Sequence, residues 1–113
     1  MEKMRILVAN EPCIYREAIT NVLRELRPHI EVSAIEPDSL DHEVTSRCPH
    51  LVVCSRITAA MHNLSAWIML YPESENHAVI STGGEQTTVD NIRFSDLLST
   101  IDRTEFLLSE VSW

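Results

Sequence analysis

Short runs of consecutive apolar residues alternate along the chain with longer stretches in which apolar residues recur every three or four positions. The first run, residues 5–9 (RILVA), is bounded by Asn10 and Pro12 and predicts a buried strand. Pro12 suits a helix opening, where its missing N–H costs nothing. Ile14, Ala18, Ile19, Val22, Leu23 and Leu26 then recur at helical spacing and predict an inward face. Arg16, Glu17, Asn21, Arg24 and Glu25 fill the opposite side, and Pro28 stops the helix. Residues 31–36 (EVSAIE) predict a second strand closed by Pro37. Asp38 or Ser39 can cap a short helix carrying Leu40 and Val44. After Pro49, residues 50–54 (HLVVC) predict a third strand that stops at Ser55 and Arg56. Residues 57–63 read as a short, poorly capped helix or a loop, and residues 66–71 (AWIMLY) as a fourth strand ended by Pro72.

The pattern then changes. Residues 77–82 and 85–90 flank Gly83 and Gly84, and a Gly-Gly pair between β-prone runs predicts a two-residue hairpin, because both residues can take positive φ. Pairing across that turn sets Ala78 opposite Val89, Ile80 opposite Thr87 and Thr82 opposite Glu85. One face is apolar, so the hairpin is expected to pack on the core. Ser95 is a candidate cap for a last helix over residues 96–108, with Leu97, Leu98, Ile101 and Leu108 inward, and residues 109–113 are expected to fray. Strands alternating with helices up to residue 71 predict a parallel sheet covered on its faces.

Composition narrows the function classes. A chain of 113 residues with 44% hydrophobic content is long enough for one domain with a core and too short for two ordinary ones. The formal net charge is -8 and the nine basic residues are scattered, so neither nucleic acid nor an anionic membrane is expected as a partner. The N-terminal apolar run is too short for a signal segment and no run is long enough to span a bilayer, so a cytoplasmic protein is expected. With only two glycines, and those adjacent, the chain cannot build a P-loop, a dinucleotide fingerprint or a nucleophile elbow.

Chemistry-bearing residues are few. Cys13, Cys48 and Cys54 fit neither a disulfide framework nor a zinc spacing, and His29, His42, His50, His62 and His77 match no ligand pattern. No metal or other cofactor is expected. Cys13, at a helix start, and Cys54 are open to a redox reading or to plain packing. Trp67 and Tyr71 read as core and edge aromatics rather than a stacking platform. Phe106, Leu107 and Leu108 are consecutive and exceed what one helix face needs; with Val111 and Trp113 they are a candidate partner or dimer surface.

The segments RILVANEP, the amphipathic helix after it, EVSAIEP and PHLVVCSR together resemble the first three strands of a response-regulator receiver domain, across roughly residues 4–72. The resemblance implies a three-layer, flavodoxin-like α/β fold with about four parallel strands, here followed by the hairpin and terminal helix. It also implies a site. A receiver carries two acidic metal-holding residues after strand one, a phospho-accepting Asp after strand three, a Thr or Ser after strand four, and a Lys after strand five. Those positions fall here on Asn10 and Glu11, on Ser55 and on Tyr71, while the Lys position is empty because the only lysine is Lys3.

The substitutions remove the chemistry. Magnesium needs charged oxygen ligands, and Glu11 supplies one carboxylate where three are expected. Ser55 would give a stable ester instead of an acyl phosphate and has no evident base. Arg56 or Arg93 offers positive charge, but Arg does not replace Lys at such a position. What is implied is a degenerate receiver, not an enzyme, that acts by contact with a signalling protein or with a second copy of itself. An alternative is a small-ligand sensor using a polar pocket formed by Asn10, Glu11, Ser55 and Tyr71 at the carboxyl edge of the sheet. Those four residues equally fit ordinary strand-end polar groups that satisfy the backbone.

Overall fold

Runs of four or five apolar residues are too short to hide an amphipathic helix, and they do become strands. The computed structural model describes residues 4–64, 66–71 and 75–111. Within them lie β1 (Arg5–Ala9), α1 (Cys13–Leu26), β2 (Glu31–Ala34), α2 (Leu40–Arg47), β3 (Leu51–Cys54), β4 (Ala66–Leu70), β5 (His77–Thr82), β6 (Glu85–Asp90) and α3 (Phe94–Val111). Short 3-10 segments at Pro37–Ser39 and Ala59–Asn63 complete the order, and the second resolves the helix-or-loop alternative.

The strands form one six-stranded mixed sheet in the order β2-β1-β3-β4-β5-β6. Neighbours from β2 to β4 run parallel, whereas β5 pairs antiparallel with β4 and β6 antiparallel with β5. The hairpin therefore extends the sheet, and the apolar face formed by Ala78, Ile80 and Val89 packs on the core as expected. Its register is the expected one, with Ala78 opposite Val89, Ile80 opposite Thr87 and Thr82 opposite Glu85. Gly83 and Gly84 hold φ of +57° and +88°, the pair of positive values that a type I′ turn demands. β2 and β6 are the two edges of the sheet.

Alternate residues of each central strand feed two cores. Ile6, Val8, Leu51, Val53, Ile68 and Leu70 pack with Ile19 and Leu23 of α1 and with Leu97 and Ile101 of α3. On the opposite face, Leu7, Ala9, Val52, Cys54 and Trp67 pack with Leu40 and Val44 of α2 and with Met61. Strands buried on both faces read as unbroken apolar runs, which is why RILVA and LVVC lack alternation.

Two helix expectations are corrected. In α1 the residues that meet the sheet are Arg16, Ile19, Thr20 and Leu23, while Ile14, Ala18, Val22 and Leu26 face solvent. A buried arginine is tolerable because its guanidinium emerges 3.4 Å from Glu36, and the Thr20 hydroxyl is satisfied by donating to the Arg16 carbonyl at 2.7 Å. In α3 the helix begins at Phe94, not at Asp96. Ser95 lies inside it, and the Asp96 carboxylate accepts a hydrogen bond from the Arg93 N–H at 2.9 Å, which satisfies one of the donors that a helix start leaves unpaired.

Candidate functional site at the carboxyl edge of the sheet

Parallel strands end on one side of a sheet, so β1, β3 and β4 deliver Asn10, Ser55 and Tyr71 to a common edge. Asn10 is completely buried, and its amide Nδ2 donates to the Leu70 carbonyl at 2.8 Å. Because β3 lies between β1 and β4, this bond spans the end of β3 and fastens the two strands beside it. The Asn10 Oδ1 has no hydrogen-bond partner among the described residues. An unpaired buried acceptor costs about 1–3 kcal/mol, so Asn10 is held in place by the strands around it.

Ser55 follows β3, and its hydroxyl oxygen accepts the Glu11 backbone N–H at 3.1 Å. Glu11 itself is exposed, and its carboxylate lies 3.8 Å from the Arg56 guanidinium, which also approaches Asp38 at 3.3 Å. Arg56 thus bridges the loops after β1 and β2. All three groups are largely in water, where such pairs contribute about 0–1 kcal/mol. The second positive candidate, Arg93, is exposed and adds a backbone N–H to the start of α3.

Among the described residues Tyr71 makes no hydrogen bond to Asn10, Glu11 or Ser55. Its ring meets Tyr15 edge to face, with centroids 5.8 Å apart and planes at 63°, and its backbone sits at φ +53°. A left-handed aromatic residue is strained, and the Tyr71 N–H donates to the His77 carbonyl at 3.0 Å, which ties the end of β4 to the start of β5. Its ring packs against the core that α1 shares with α3.

The cysteines divide by environment. Cys54 is buried, its Sγ 3.8 Å from Met61 Sδ and 3.7 Å from the Ile68 carbonyl, and burial pushes its thiol up to about 12. It remains a protonated packing group at neutral pH. Cys13 and Cys48 are exposed. Among the described residues no group of three or more His, Cys, Asp or Glu is placed to hold a metal ion, and no helix is long and apolar enough to cross a membrane.

Of the candidate contact residues on α3, Phe106 is 60% and Leu107 43% exposed, one helical step of about 100° apart. Trp113 lies outside the described residues. The middle of this helix is tied to the segment just after α1: Arg27 grips Asp102 with two bonds of 2.8 Å, and His29 meets Glu105 at 3.0 Å. The hydrogen bond from Arg27 holds the Asp102 carboxyl below its ordinary value.

Sequence reasoning named Asn10, Glu11 and Ser55 but missed what each holds. The Leu70 carbonyl is a backbone group and leaves no trace in composition, and Asp38, one of the two cap candidates for α2, instead faces Arg56. No protein-family model matches the chain, and no curated protein or solved structure matches it either.

Proposed function

We propose that this chain is a receiver-like regulatory module that works through protein contact and does not carry phosphate on an aspartate. The observation that carries the reading is the employment of the strand-end side chains. Asn10 is committed to the Leu70 carbonyl and Ser55 to the Glu11 N–H, so both act as structural ties where a receiver keeps a metal ligand and a phospho-acceptor. The nearby cation, Arg56, is shared between Glu11 and Asp38. A hydroxyl that accepts one hydrogen bond and, among the described residues, donates none to a base is a poor nucleophile. Incubation with acetyl phosphate and magnesium followed by intact-mass measurement is expected to give no adduct. A stable adduct that disappears in Ser55→Ala overturns this reading.

The small-ligand reading has one observation in its favour, the unpartnered Asn10 Oδ1 at the same edge. A thermal-shift screen of nucleotides and metabolites tests it: a hit abolished in Asn10→Leu supports the sensor, and a flat screen removes it.

A further inference from the structure

The feature that the fold itself does not use is the outer face of α1. Ile14, Ala18, Val22 and Leu26 recur every four residues and form one ridge along the helix, all of it exposed, with Ile14 at 69% and Leu26 at 46%. Ala18, in the middle, allows close approach of another backbone. Tyr15, braced by Tyr71, stands beside the N-terminal end of the ridge as a fixed aromatic.

Charge says what kind of surface fits this ridge. The neighbouring row of the helix is Glu17, Asn21 and Glu25. Of the arginines in or next to α1, Arg16 is paired with Glu36 and Arg27 with Asp102, while Arg24 donates through Nε to the Val32 carbonyl at 3.0 Å and has no ion-pair partner among the described residues. Neither Glu17 nor Glu25 has an ion-pair partner among the described residues. An exposed apolar ridge is thus bordered along one side by two carboxylates without an ion-pair partner among the described residues, against one arginine, on a chain of net charge -8. A second copy would bring the same carboxylates against these, which disfavours self-association.

Resting on the protein-contact reading above, we infer that the ridge of α1 is the docking face for an amphipathic partner helix whose apolar stripe is flanked by lysine or arginine. Apolar side chains spaced four apart on both helices interdigitate, and the basic flank pairs with Glu17 and Glu25.

The test uses the full chain and two fluorescent helix-forming peptides of about 18 residues. Both carry leucines four positions apart, one flanked by lysines and one by glutamates. The lysine peptide is expected to bind saturably below about 100 μM and the glutamate peptide at least about tenfold more weakly. Ile14→Asp and Val22→Asp, each at an outward position and checked for unchanged circular dichroism, are expected to weaken the lysine peptide by about tenfold or more. Glu17→Lys combined with Glu25→Lys is expected to reverse the preference. The proposal is overturned if the lysine peptide does not saturate, if both peptides bind alike, or if Val22→Asp binds unchanged while Phe106→Asp does not. A dimer by light scattering that Ile14→Asp dissociates also overturns it, since a second copy then covers the ridge. Failure of the peptides leaves the phosphate-free reading standing, and an adduct on Ser55 removes that reading whatever the peptides do.

Discussion

The carboxyl edge of the sheet and the outer face of α1 are opposite in economy. At the edge, Asn10 and Ser55 spend hydrogen bonds on holding β1, β3 and β4 together. On the helix, Ile14, Val22 and Leu26 lie outside both core clusters. The strand-end side chains are thus engaged in structural bonds, while the outer face of α1 is left over from packing.

The strongest way to break this contrast is to recharge the edge. Asn10→Asp removes the donor to Leu70 and puts a carboxylate in a fully buried position, with an expected loss of about 4 kcal/mol at neutral pH by chemical denaturation. Burial raises the folded-state pKa of the introduced carboxyl. The penalty is therefore full above that value and shrinks as pH falls and the group takes a proton. A loss that does not shrink on acidification places the side chain in water and dissolves the comparison.

The helix side is sharpened by two neighbours. Leu23→Ala is expected to cost about 3 kcal/mol, whereas Val22→Ala changes stability by no more than about 0.5 kcal/mol, both read from the denaturation midpoint. Comparable losses at the two positions turn the helix over and return Val22 to the core. Ser55→Ala is expected to cost about 1 kcal/mol, the worth of one hydrogen bond, with Glu11 N–H released to solvent. The smallest effect lies in the tie between the helices. Because the Asp102 carboxyl is held low in the folded state, its contribution is present above the unfolded value near 3.9 and is lost as pH falls through the folded value. Asp102→Asn is expected to flatten that part of the acid limb, and an unchanged limb assigns the acid sensitivity elsewhere.

What the residues disclosed in advance follows locality. The hairpin register was legible to the residue because two adjacent glycines leave one way to close the turn, and the central strands because burial on both faces writes itself as unbroken apolar runs. The orientation of α1 was not. Ile14, Val22 and Leu26 have the spacing of an inward face, yet the sheet chose the side with Arg16 and Thr20, whose polar atoms reach Glu36 and a helix carbonyl. Helical periodicity identifies a face without saying which neighbour will cover it. At α3, Ser95 has the chemistry of a cap, but Asp96 takes the capping interaction through the Arg93 N–H. The candidate site was legible as a set of positions, since strand ends bring Asn10 and Ser55 together. The bond from Asn10 over β3 to a carbonyl on β4 depends on strand order and could not be read from residue types. Joining of the hairpin to β4 likewise rests on a strand pairing that residue types do not specify.

The last strand of the sheet bears on how the molecule behaves when crowded. β6 leaves one side of its backbone unpaired, the usual invitation for sheets to grow from molecule to molecule. Its sequence, EQTTVD, carries an acid at each end. Two copies joined antiparallel about the Thr87–Thr88 bond would set Glu85 of each against Asp90 of the other, placing like charges face to face at both ends of the seam. The acids that frame β6 thus act as a guard against polymerisation, one that should weaken at high salt or low pH.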